Sequence, residues 1–198
     1  TAITKLADRG GDVLTVQKAF TRQVGNSEAA LRTLREASRG MTSDYKLMQQ
    51  ANNAFALGSA DSVDELGELI RLSQDLGRAL GIDSTEALEK ANIAIARQSR
   101  LRADDLGITI SQADANERYA ATLGISADAL DDAQKKEAFR LEFMRQGKDL
   151  VEQMGTAEIE GADATRRFTT SLANLRDGVS TLVAESPAVA EFFTKFTD

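Results

Sequence analysis

Few residues of this chain have types and spacings that could do chemistry. Ser43-Asp44-Tyr45-Lys46 has the Ser-x-x-Lys spacing in which a helix-borne lysine assists a serine nucleophile in acyl transfer. The companion spellings Ser-Asp-Asn and Lys-Thr-Gly are missing, and Ser43 stands where a helix should begin, so the serine reads as an N-cap. Arg97, Arg100 and Arg102 crowd together and could grip a phosphate or a carboxylate. Asp104 and Asp105 follow at once, and the group reads as a solvated mixed-charge helix surface with local ion pairs. Asp128, Asp131 and Asp132 resemble the start of a cation site, but no loop here has the Gly and terminal Glu of an EF-hand. They read instead as carboxylates at the positive end of a helix. The sequence therefore predicts no catalytic, cofactor-binding or metal-ligating residue, and no enzyme.

Composition narrows the chemistry further. The chain has 198 residues, with no His and no Cys. Without imidazole, zinc-water hydrolases, haem proteins with a proximal His, Ser-His-Asp hydrolases and Glu-x-x-His di-iron bundles are excluded. Without thiol there is no disulfide framework and no thiolate site, which fits a reducing cytosol. A net charge of −7 argues against nucleic acid as the main partner, since phosphate binding needs a basic stripe. No apolar run approaches the roughly 18–20 residues that span a bilayer, so no membrane insertion is expected. The opening Thr1-Ala2-Ile3-Thr4-Lys5 is not a signal peptide.

The elements that hold these residues are helices. One Pro, Pro187, stands in a chain dominated by Ala, Leu, Glu, Gln, Lys and Arg, which lose little on entering a helix, and no stretch alternates as a strand must. The expected fold is all-α, an irregular array of short to medium helices joined by Gly-capped turns. Leu80-Gly81-Ile82, Leu106-Gly107-Ile108 and Leu123-Gly124-Ile125 each place Gly where a chain leaving a helix turns left-handed. The Ile after each Gly should fold back on the last turn, Ile82 toward Leu76 and Ile125 toward Ala120 or Tyr119. Ser62-Val63-Asp64-Glu65 reads as a capping box and Asp83-Ser84-Thr85-Glu86 as a close variant. These marks predict helices at about 11–24, 27–39, 43–57, 62–80, 84–105 with a break near Ser99, 111–123, 127–154 and 157–185, and a short one after Pro187.

Three faces stand out. Val63, Leu66, Leu69, Ile70, Leu76 and Leu80 make 62–80 the expected core helix. In 127–154, Ala138, Leu141 and Met144 form one face, while Phe139, Phe143, Leu150 and Met154 form a second that implies another surface, as core or interface. Phe168, Leu172, Leu175, Val179 and Leu182 step by four and three, a heptad seam that could join copies of the chain or pack within it.

From about Tyr45 to Gly155 the sequence resembles the tail tape measure proteins of long-tailed bacteriophages. The residues that carry the resemblance are Phe55-Ala-Leu-Gly-Ser-Ala-Asp-Ser62, Leu80-Gly-Ile-Asp-Ser-Thr-Glu-Ala-Leu88 and Arg97-Gln-Ser-Arg-Leu-Arg-Ala-Asp-Asp-Leu-Gly-Ile108. Asn116-Glu-Arg-Tyr-Ala-Ala-Thr-Leu-Gly124 and Lys135-Lys-Glu-Ala-Phe139 continue the order. The resemblance implies a structural virion protein that sets tail length, scaffolds the tail tube and leaves ahead of the DNA. Its partners would be its own copies and the tail-tube and tail-tip proteins, in the host cytoplasm during assembly and in the virion tail afterwards. A helix rises about 1.5 Å per residue, so in such a protein length itself is the mechanism. This chain has no sustained heptads and no lytic domain, and so reads as a compact helical portion of a longer protein.

Three sections are expected: 1–40, helices continuing from an upstream segment; 41–155, the tape-measure-like helical region; and 156–198, the last long helix with its seam. The alternative from a different class is a free-standing helical adaptor or effector that binds a protein or an apolar ligand through the Phe139, Phe143, Leu150 and Met154 face.

Overall fold

In a computed structural model the chain is all-α, with nine α-helices and no strand among the described residues. Those are residues 2–155, 160–186 and 188–189, with side chains described at 4–155, 163–186 and 188–189. The helices are α1 Ala2–Val24, α2 Ser27–Ala37, α3 Asp44–Leu57, α4 Val63–Leu80, α5 Ser84–Ala96, α6 Arg100–Asp104, α7 Gln112–Leu123, α8 Asp132–Met154 and α9 Glu160–Glu185, with a 3-10 turn at Ala127–Ala129. The helix expected after Pro187 lies largely outside the described residues, as does part of the stretch 155–161.

Most helix ends follow from local chemistry. Ser62 accepts a hydrogen bond from the Glu65 amide at 3.2 Å, while the Glu65 carboxylate reaches one residue further back than expected, to the Asp61 amide at 2.8 Å. Asp83, Ser99 and Ser111 cap α5, α6 and α7 through their side-chain oxygens. A reciprocal capping box occurs at Asp131 and Gln134, and it opens α8 five residues later than the sequence suggests. Leu130, with φ −68 and ψ 130, is extended and separates the preceding 3-10 turn from the helix. Gly81, Gly107 and Gly124 take φ of 71, 72 and 69. After each, the Ile amide bonds back five residues: Ile82 to Gly77 O at 2.9 Å, Ile108 to Ala103 O at 3.0 Å and Ile125 to Ala120 O at 3.1 Å. The surroundings differ, since Leu106 and Ile108 are buried whereas Leu123 and Ile125 are exposed.

The chain divides into two compact units, 1–53 with 159–198, and 54–158. In the second, α4 is the centre, and its Leu66, Leu69, Ile70, Leu72 and Leu76 are buried. It packs on α5 and α8, and α7 packs on α8. Leu88 and Ile95 from α5, Leu106, Ile108 and Ile110 from the following turns, and Phe139, Phe143 and Met144 from α8 complete this core. A buried polar pair sits beside it, where the Ser59 hydroxyl donates to Asn92 Oδ1 at 2.7 Å.

The first unit pairs α1 with α9. The sequence suggests a helix at about 11–24, but α1 begins earlier and runs through both Gly10 and Gly11. The reason is tertiary. A Cβ at Gly10 would overlap the Ser180 carbonyl oxygen and lie 2.6 Å from Ala184 Cβ, so only glycine lets α9 approach this closely. Val13, Phe20, Leu34, Leu47, Met48 and Val183 are buried in this unit.

Candidate interaction surface

α9 joins its unit through polar and small side chains together with the buried Val183. The Arg9 guanidinium donates to both oxygens of Asp177, at 2.9 and 3.1 Å, and lies 4.5 Å from the centre of the Tyr45 ring. Asn174 Oδ1 accepts from the Asp44 amide at 2.9 Å, and Asp44 itself holds Arg35 in a two-armed pair at 2.7 Å. Asp177 and Ser180 are buried. The hydrogen bonds at Asp177 keep Arg9 protonated to higher pH than a free guanidinium, against the opposing effect of its partial burial.

Apart from the buried Val183, the large apolar side chains of α9 point the other way. Phe168 is 67% exposed, Leu175 65%, Leu182 58% and Leu172 50%, and Val179 is half-buried. At 100° per residue these five fall within a stripe opposite Asp177, so the helix is amphipathic with its apolar side outward. The sequence reading found the seam but left open which way it faces.

Of the two readings that the spacing of the second apolar face left open, core or interface, its aromatic residues take the first. Phe139 and Phe143 are fully buried in the core around α4, Leu150 is half-buried with its Cδ2 close to Gly107, and only Met154 is exposed. Both faces of α8 contribute to one core, with Ala138 and Met144 buried and Leu141 exposed.

The chemical candidates take places at helix ends and in local ion pairs. The Ser43 carbonyl accepts the first helical bond of α3, from the Leu47 amide at 2.9 Å. Arg102 pairs with Asp105 at 3.1 Å, and Arg100 lines a shallow hollow of about 390 Å³ with Leu101, Asp104, Thr109 and Ile110. Asp131 is the α8 cap, and Asp132 lies 4.0 Å from Lys135. Among the described residues no three acidic side chains converge as a metal site would require. No helix among them is long and apolar enough to cross a membrane.

Sequence reasoning missed Glu142, a buried carboxylate on α8. Arg145 grips both its oxygens at 2.7 and 3.0 Å, Gln146 donates at 2.7 Å, and Arg118 of α7 reaches it at 3.4 Å. The hydrogen bonds from Arg145, then Gln146, and the charges of Arg145 and Arg118 hold its pKa below the usual carboxylate range despite desolvation. Arg and Gln at i+3 and i+4 were a visible signal, but burial depended on α7 packing over the group. With its oxygens occupied, Glu142 ties α7 to α8.

No protein-family model matches this chain, and no solved structure matches it either.

Proposed function

We propose that this chain is a structural segment of a phage tail tape measure protein, working by assembly and catalysing no reaction. The observation that carries the reading is the outward apolar seam of α9. An apolar stripe left open to water on a chain with few aromatic residues is the signature of a surface made to be covered by another protein. The motifs that resemble tape measure proteins run from α3 to α8, so they fall largely in the unit 54–158, while the seam belongs to the other unit. Tail-tube and tail-tip proteins would be the partners, met in the host cytoplasm during assembly and retained in the virion tail. The net charge of −7 suits a chain that shares a tube with DNA without adhering to it.

The adaptor alternative draws no support from its proposed face, since Phe139 and Phe143 have no surface to offer a ligand. The test is genetic. Shortening or lengthening the encoding gene in frame should change tail length in proportion when virions are measured by electron microscopy, and tails of unchanged length would dismiss the ruler role.

A further inference from the structure

We infer that α9 is a releasable strap on its own unit, a helix that leaves α1 and docks again while the core around α4 stays closed. The inference goes beyond the assembly reading above and stands without it.

Among the described residues of α9, 163–185, the buried ones are Asp163, Asp177, Ser180 and Val183, three polar side chains and one aliphatic. The shorter helix α4 buries Leu66, Leu69, Ile70, Leu72 and Leu76. Parting a helix from its neighbours is opposed chiefly by the apolar area that returns to water, and α9 returns little. Phe168, Leu172, Leu175 and Leu182 already face water, so release exposes nothing more on that side.

The polar contacts do not make up the difference. The Arg9 to Asp177 pair and the bond from the Asp44 amide to Asn174 exchange a protein partner for water when the helices part, so each adds little net stability. Arg9 is already partly exposed. The Ser180 hydroxyl donates to the Arg176 carbonyl of its own helix, a bond that release of the intact helix leaves unbroken. The leucines of α4 have no such exchange open to them.

Contact between α1 and α9 is close at one place and open at the next. Gly10 admits the Ser180 carbonyl and Ala184. Further along the same pair of helices lies a hollow of about 550 Å³, lined from α1 by Leu14, Lys18 and Arg22 and from α9 by Thr181 and Glu185. Water reaches this charged hollow, so there is no continuous dry seam to break.

Chain order lets α9 go alone. It follows every other helix among the described residues, and its main packing partner is α1, so its release interrupts no element of the core in residues 54–158. A helix with few buried apolar contacts opens locally, at a lower free energy than global unfolding requires.

Hydrogen exchange on the full chain without denaturant tests the strap. Amides of 172–182 in α9 should exchange at least about 100-fold faster than those of 66–76 in α4, yet about 10-fold or more slower than an unstructured peptide. Asp177→Ala should speed exchange in α9 about 10-fold and leave α4 unchanged. Because the chain has no native cysteine, thiol labelling gives a second readout. Ser180→Cys and Ser73→Cys each put a thiol at a buried site, and the first should react with an aromatic disulfide reagent about 100-fold faster. Exchange of both helices at one common rate, or equal protection of the two thiols, overturns the inference, because α9 would then open only with the whole chain. Exchange of α9 at the rate of an unstructured peptide overturns it too, since a helix that never docks is no strap. An α9 rate unchanged by Asp177→Ala removes the polar attachment on which the strap rests. None of these outcomes alters tail length, so the assembly reading stands or falls on its own test.

Discussion

Helices α4 and α9 carry apolar stripes of similar regularity, yet one stripe is buried and the other faces water. In α4, Leu66, Leu69, Ile70 and Leu76 meet α5 and α8, so the apolar face and the buried face coincide. In α9 they are opposed: Asp177 and Ser180 are inside, Phe168 and Leu175 outside. Periodicity identifies a face that avoids water. It does not say which molecule covers that face, and the small or charged residues on the opposite side are what reveal the alternative.

The comparison can be broken by mutation, and the largest effect belongs to α4. Leu66→Ala empties a fully buried site and should cost about 3 kcal/mol in urea unfolding. A loss under about 1 kcal/mol would show that the core around α4 is looser than its burial implies. Next comes the polar side of α9. Gly10→Ala forces a methyl against Ser180 and Ala184 and should cost about 1–3 kcal/mol, whereas Gly11→Ala, with nothing within 4 Å, should be neutral or stabilising. Equal effects at the two glycines would contradict the close approach of α1 and α9.

A smaller effect, set by pH, concerns the unit of α4. Because the folded state depresses the pKa of Glu142, its contribution is fully present above the unfolded carboxylate value of about 4.3 and is lost as pH falls through the lower folded value. The gap in urea midpoint between the wild type and Glu142→Gln should thus be complete at neutral pH and shrink in acid. A gap that widens in acid would reverse the assignment. The smallest effect is expected on the open side of α9, where Leu175→Ser should change the stability of the single chain by no more than about 0.5 kcal/mol, since it removes little buried area. A cost like that of Leu66→Ala would mean that the seam is already covered.

Much of the fold was legible because helix ends are written locally. Ser62, Asp83, Ser99 and Ser111 announce their helices, Gly81 and Gly124 end theirs, and the break expected near Ser99 occurs where Gln98 takes φ 47. What escaped was decided at a distance. Gly10-Gly11 looks like a break until Ser180 is brought against it, and Phe139 looks like part of a second surface until the core around α4 closes over it. The seam was legible as a spacing, but its direction depended on Arg9 meeting Asp177, which no local pattern records.

The Arg9 to Asp177 pair joins residues 168 positions apart, and that separation imposes an order of events during synthesis. A ribosome adding roughly 5–20 residues per second needs about 10–30 s to travel from one partner to the other. Residues 54–158 emerge in that interval with all their own contacts available, while Arg9 and Gly10 of α1 wait for α9. Of the two units, the one that begins to emerge first is therefore the last to be completed, and until α9 arrives the side of α1 that it covers stays open.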